Sequence, residues 1–123
     1  MIASEVITVV RRMLNDEDAA AYRWPDLNLL QYLSDAQRTL VRFRPDLLLT
    51  AADAVASAVE VDDLSDVLIV GTDSRVILAT LVCAQAFSED SDDGGNLKRA
   101  QVCESSAYRM MGVVPMGVPS NAP

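Results

Sequence analysis

The chain has 123 residues, half of them apolar, and a formal net charge of −8. This length fits one domain with a modest core, and the apolar content argues against disorder throughout. No apolar run approaches the roughly 20 residues that span a bilayer, and the acidity disfavours binding to nucleic acid or anionic membranes. Glu5 precedes the first apolar run and arginines follow it, an order that is wrong for a signal peptide. We therefore expect a cytosolic product with a native N-terminus.

Two amphipathic helices are predicted in the first part of the chain. The first covers about residues 4 to 15, where valines and one methionine recur at helical spacing. The second begins at Pro25, which suits a first helical turn, and stops before Pro45 because the residue preceding a proline disfavours helical geometry. The expected apolar stripes are Val6, Val9, Val10 and Met13 in the first helix, and Leu29, Leu33, Ala36, Leu40 and Phe43 in the second.

The only tryptophan, Trp24, stands immediately before this second helix. An apolar side chain at that position can pack back over the first turn as a hydrophobic staple. Asp26 beside it favours the positive end of the helix dipole. We therefore interpret Trp24 as an anchor that sets how the chain enters the helix.

Residues 47–71 allow two interpretations. Val55, Val59 and Val61 alternate with alanines, and an acidic turn leads into a Val-Leu-Ile-Val run closed by Gly71, which together suit a short β-hairpin. Alanine also favours helices, so a short helix within residues 50–60 is the alternative.

A helical hairpin is predicted next. Thr72 or Asp73 can cap a third helix that runs to about residue 88, and a fourth runs from near Asn96 to about Met111, where Gly112 ends it. If the turn is centred on residue 93, small residues face each other along the two helices, which permits close backbone approach. The facing pairs are Ala79 with Ala107, Cys83 with Cys103, and Ala86 with Ala100.

The chain lacks the residues that most enzyme sites need. It has no histidine, and its two cysteines do not make a disulfide framework, so we expect both to be reduced, buried and structural. An EF-hand alignment of the acidic stretch that starts at Glu89 puts Ala100 where the bidentate glutamate belongs. We expect no enzyme, no catalytic residue, no metal site and no cofactor.

Three arginines form a basic ridge near the end of the second helix: Arg38, Arg42 and Arg44. One interpretation is a solvated face balanced by Asp35, one turn before Arg38. The other is a contact with the acidic flank of another copy, because residues 51–123 hold four basic residues against eleven acidic ones. Both interpretations stay open.

The predicted fold class is all-α. We expect a four-helix antiparallel bundle in residues 1–112, with a short β-hairpin or irregular insert between the second and third helices. Residues 113–123 hold three prolines and should form an extended tail.

The stretch RWPDLNLLQYLSDAQRTLVRFRPD, residues 23–46, resembles the head–tail connector, or portal adaptor, proteins of tailed bacteriophages. That resemblance rests on Arg23, Trp24, Asp26, Leu29, Leu30, Leu33, Asp35, Ala36, Arg44, Pro45 and Asp46, with Pro25 inside the motif. A weaker match in residues 73–112 includes Asn96, Ala100, Tyr108 and Gly112. The insert in residues 47–71 is shorter than the family's β-rich one.

The resemblance implies a structural virion protein that forms a ring, usually of twelve copies, beneath the portal. Its partners would be the portal protein, tail or nozzle proteins and copies of itself. DNA would pass through the channel without sequence-specific binding, and the protein would be found in the host cytoplasm during assembly and then at the head–tail interface. The tail would dock on the portal through Val113, Val114, Pro115, Met116, Val118 and Pro119.

The alternative is a small oligomeric helical regulator of the antitoxin or transcription-factor type. It would need a basic DNA-reading helix, for which the arginine ridge is thin support. For the connector we expect a monomeric or weakly associated protein that forms a ring only on its portal.

Overall fold

The computed structural model describes residues 1–50, 60–90 and 94–112, and within these ranges the protein is mainly helical. The fold class predicted from the sequence is therefore confirmed at this level. Four α-helices lie in the described ranges: α1 (Ala3–Leu14), α2 (Asp26–Phe43), α3 (Arg75–Glu89) and α4 (Gly94–Met110). Short 3₁₀ helices cover Ala19–Ala21, Pro45–Thr50 and Thr72–Ser74.

Helix α1 has a defined cap at each end. The Glu5 carboxylate accepts a hydrogen bond from the backbone N–H of Ile2 at 2.8 Å, which satisfies a donor at the helix start. Asn15 takes the left-handed conformation (φ 55°) that commonly ends helices. The buried face includes Val6, Val10 and Leu14, whereas Met13 is 43% exposed. The prediction that Met13 belongs to the apolar stripe is therefore wrong, because Leu14 occupies the inward position in the last turn.

Helix α2 lies between its two prolines, with Pro25 just outside the first turn in which it was predicted to lie. Pro25 is the N-cap, and its carbonyl accepts a hydrogen bond from the N–H of Leu29 at 3.2 Å. Four members of the predicted stripe are buried, while Phe43, in the last turn, is 40% exposed. The buried members of the stripe are Leu29, Leu33, Ala36 and Leu40.

The described half of the insert, residues 60–71, packs beside α1 and α2 and contains no β-strand. Val67 makes one isolated antiparallel bridge with Ile2, and the N–H of Leu68 donates to the carbonyl of Met1 at 3.0 Å. This half is therefore irregular, with buried side chains at Val61, Leu68, Ile69 and Val70. The strand that would complete the predicted hairpin falls in residues 51–59, outside the described residues.

Two buried polar side chains of α2 attach this segment to the core. The Ser34 hydroxyl accepts from the N–H of Val61 at 2.8 Å, and the Gln37 side-chain oxygen accepts from the N–H of Ile69 at 2.9 Å. Both side chains are almost fully buried. They satisfy backbone donors that would otherwise cost free energy in the core.

Helix α3 is the centre of the described helices, since α1, α2 and α4 each pack extensively against it. Its contact with α4 is the largest of the three. Five of the six residues predicted for this seam are buried and Cys103 is half-buried, which agrees with close packing of small side chains. The complete antiparallel bundle remains a prediction.

Candidate interaction surface

A buried carboxylate, Asp16, connects the end of α1 to the start of α2. It pairs with the guanidinium of Arg11 at 2.9 Å and accepts from the backbone N–H groups of Arg23 at 2.9 Å and Trp24 at 3.2 Å. The other arm of the Arg11 guanidinium binds Asp26 in the first turn of α2. One buried ion pair therefore sets the path of the chain between the two helices.

Arg11 is itself 5% exposed, an unusual position for an arginine. Its guanidinium lies 3.4 Å from the centre of the Tyr22 ring, a cation–π geometry that adds to the two carboxylate contacts. The sequence analysis did not predict a role for Arg11 or Asp16. The signal that could have identified them is an arginine on the apolar face of α1, between Val10 and Leu14.

The predicted anchor Trp24 is buried, and its indole makes two contacts with α3. The indole N–H donates to the carbonyl of Ala86 at 3.2 Å, and the ring meets Phe87 edge-on at 6.2 Å. Arg23 forms an ion pair with Asp90 at the end of α3. The motif therefore ties the start of α2 to the end of α3.

The other motif residues fall into core and surface positions. Leu30 and Leu33 are buried on the inner face of α2, while Pro25 and Pro45 are exposed at its two ends. Asp35 is half-buried, accepts from Arg38 at 2.9 Å and lies 3.5 Å from the amide of Gln85 on α3.

The three arginines of the predicted ridge have different surroundings. Arg38 pairs with Asp35 and Glu60. Arg44 pairs with Asp46 at 2.9 Å, which lowers the pKa of that carboxyl, and it also donates to the carbonyl of Met111 at 3.3 Å. Arg42 is exposed and has no hydrogen-bond or ion-pair partner among the described residues.

A groove runs between α2 and α4 with α3 as its floor, and we call it the α2–α4 valley. At one end the ring of Phe43 meets that of Tyr108 edge-on at 5.4 Å, and Arg44 reaches the end of α4. The valley has a volume of about 500 Å³ and extends from Leu97 to Tyr108, about 16 Å along α4 at 1.5 Å per residue.

The walls of the valley are acidic. Three carboxylates line it, from Asp35, Glu89 and Glu104, and none of its described lining residues is a lysine or arginine. Glu89 also contributes to a raised pKa at the neighbouring Tyr32, although burial of that phenol is the larger cause. Small apolar side chains from all three helices also line the valley, including Ala36, Ala84 and Ala100. The valley suits a side chain with an aliphatic stem and a positive end.

A second, more apolar groove lies on the other side of α4, between Met13, Phe87 and Val102. Its volume is about 570 Å³, and Cys103 is one of the residues that line it. Burial raises the pKa of the Cys103 thiol, and burial together with the nearby Cys103 raises the pKa of Cys83 to about 12. Both thiols are free, and their raised pKa values disfavour the reactive thiolate.

Within the described ranges, no three acidic or cysteine side chains come together as a metal site would require. The same residues include no helix long and apolar enough to cross a membrane. The predicted portal-docking residues lie in residues 113–123, outside the described part of the chain. No family model, no curated protein and no solved structure matches the chain.

Proposed function

We propose that this chain is a head–tail connector of a tailed bacteriophage. In this proposal, copies of the chain form a ring, with twelve as the expected number, beneath the portal. The ring bridges the portal to the tail or nozzle and surrounds the DNA channel. Four helices form the antiparallel bundle of each copy, with a short β-hairpin or irregular insert, and residues 113–123 form the extended tail that docks on the portal.

The observation that carries the proposal is the concentration of inter-element contacts in the matched block, residues 23–46. Trp24 binds the backbone of α3, Arg23 binds Asp90, and Asp26 binds Arg11 of α1. At the other end of the block, Arg44 donates a hydrogen bond to the carbonyl of Met111, the residue that follows α4. The block that carries the resemblance thus holds the other three helices in place, as a rigid ring subunit requires.

The charge distribution also supports this proposal over the regulator. A DNA-reading helix needs lysines and arginines free to neutralise phosphates. On α2 and its C-cap, Arg38 and Arg44 are already paired with carboxylates. An acidic chain with a net charge of −8 is instead suited to a channel along which DNA slides without adhering.

The direct test begins with the neighbouring reading frames, where the proposal expects a gene for the portal protein. Co-expression should give a complex in which electron microscopy shows a ring of this protein on one face of the portal ring. Deleting residues 113–123 should abolish the complex while leaving the circular dichroism spectrum helical. Absence of a portal or capsid gene from the neighbourhood, together with retardation of a DNA fragment at moderate salt, would instead establish the regulator.

A further inference from the structure

We propose that Arg42 of one copy docks into the α2–α4 valley of a second copy. This inference rests on the proposed function, because it names the contact by which subunits of the ring would join. Of the three arginines in the ridge, it selects Arg42 as the hydrogen-bond donor to the second copy. It also identifies the valley as the acceptor surface, which no sequence motif predicted.

The choice of Arg42 follows from where its neighbours are engaged. The guanidinium of Arg38 is shared between Asp35 and Glu60, and that of Arg44 between Asp46 and the carbonyl of Met111. Arg42 lies between these two arginines, exposed and without a partner among the described residues. It is therefore the arginine of the ridge that can bind a second copy without breaking a contact of its own.

The valley complements this side chain in shape and in charge. Glu89, at the end of α3, and Glu104, on α4, both line the valley, and both are exposed. Neither carboxylate has an ion-pair partner among the described residues. The alanines that line the valley can contact the methylene stem of an arginine while the carboxylates accept hydrogen bonds from its guanidinium.

The surroundings of Arg42 add apolar area to the contact. Phe43, the next residue, is 40% exposed, and an aromatic residue beside an arginine is a common composition for the energetic centre of an interface. The contact pairs different residues of the two copies, Arg42 of one with the valley carboxylates of the next. Such a head-to-tail contact produces a ring when the rotation between copies closes.

One exposed ion pair contributes little by itself, so self-association in solution should be weak. On a portal, which holds neighbouring copies at high effective concentration, the same contact becomes significant. Of the two solution states expected before portal binding, monomeric or weakly associated, this contact requires the weakly associated one.

Charge reversal tests the contact without an unidentified ligand. Self-association of the full chain is measured by sedimentation equilibrium at low salt for the wild type, Arg42→Glu and Glu104→Arg. Each variant alone should associate at least about tenfold more weakly, which corresponds to about 1.4 kcal/mol. An equimolar mixture of the two should recover association, because Arg42 of the Glu104→Arg copies meets an intact valley on the Arg42→Glu copies.

Arg109→Glu is the matched control. Arg109 is also an exposed arginine without a partner among the described residues, and it lies on the outer face of α4, away from the valley. Its reversal changes the net charge by the same amount and should leave self-association unchanged. A second variant, Thr39→Trp, fills the valley without changing charge and should weaken association as strongly as Glu104→Arg, with circular dichroism confirming the fold.

Four results would overturn the inference. The first two are a wild-type chain that stays monomeric at every concentration, and equal losses of self-association in Arg42→Glu and Arg109→Glu. The others are a mixture of Arg42→Glu and Glu104→Arg that does not recover self-association, and a Thr39→Trp variant that associates like the wild type. The test is separable from that of the proposed function. A portal-bound ring that tolerates Arg42→Glu would remove this contact and leave the connector proposal standing. Complementation without any portal binding would retain the contact and remove the connector.

Discussion

The junction between α1 and α2 is held by buried charge, whereas the seam between α3 and α4 is built largely from alanine and cysteine. At the junction, Arg11 and Asp16 are each less than 10% exposed and depend on one another. At the seam, Ala79 and Ala107 are fully buried and permit close approach of the two helices. The ion pair at the junction fixes the path of the chain between α1 and α2. The close packing at the seam depends instead on side chains that are small.

This difference determines how each region should fail. A buried ion pair that loses one partner leaves an uncompensated charge in the core, which is strongly destabilising. A seam of small residues is instead sensitive to added volume, because overpacking forces backbone shifts.

The largest effect is expected for Asp16→Ala. This change leaves the Arg11 guanidinium with one partner fewer and removes the acceptor for two backbone N–H groups. The free energy of unfolding should fall by about 3–5 kcal/mol, measured by urea denaturation. Glu17→Ala is the control, since its pair with Arg12 is exposed and long at 3.7 Å, and it should change stability by under about 1 kcal/mol. A similar loss from both variants would show that the junction is not a buried electrostatic contact.

Ala79→Leu should have the next largest effect. Three added heavy atoms at a fully buried seam position should cost about 1–3 kcal/mol of unfolding free energy. Ser106→Leu places the same side chain on the exposed face of α4 and should stay within about 0.5 kcal/mol of the wild type. If Ala79→Leu is neutral in urea denaturation, the close approach of α3 and α4 is wrong.

Trp24→Phe tests the hydrogen bond that links the junction to α3. The variant keeps an aromatic ring near Phe87 but removes the N–H that donates to the carbonyl of Ala86. A loss of about 1–2 kcal/mol is expected because a buried acceptor loses its partner. Phe87→Leu, which removes only the ring contact, should cost about 1 kcal/mol. A Trp24→Phe variant with wild-type stability would argue against this role of the indole.

The smallest effect is a pH dependence at the seam. Burial raises the pKa of Cys83 from 9.0 to about 12, so the unfolded chain releases this proton at lower pH than the folded one. The resulting stabilisation is fully present below pH 9 and is lost as the pH rises towards 12. Relative to Cys83→Ala, wild-type unfolding free energy should fall by about 1 kcal/mol between pH 9 and pH 10. Parallel pH profiles for the two proteins would contradict this.

Residue types at helix ends made most of the helix boundaries predictable. Pro25 and Pro45 bound α2 in the structure, and α4 ends shortly before Gly112. Counting from the turn also selected six small residues for the α3–α4 seam, five of which are buried. Prolines, caps and the spacing of small residues act over a few positions, so the chain reveals them without knowledge of the whole fold.

Contacts between distant residues decided the rest. Gln37 and Ile69 are 32 positions apart, and Trp24 and Ala86 are 62 positions apart. Composition does not show that Arg11 is buried, because its burial depends on the positions of Asp16 and Asp26 in the folded chain. The α2–α4 valley is likewise a product of packing, since its lining residues come from α2, α3 and α4. Local stereochemistry set where the helices begin and end, and the three-dimensional arrangement alone determined which charges are enclosed and which remain available to another molecule.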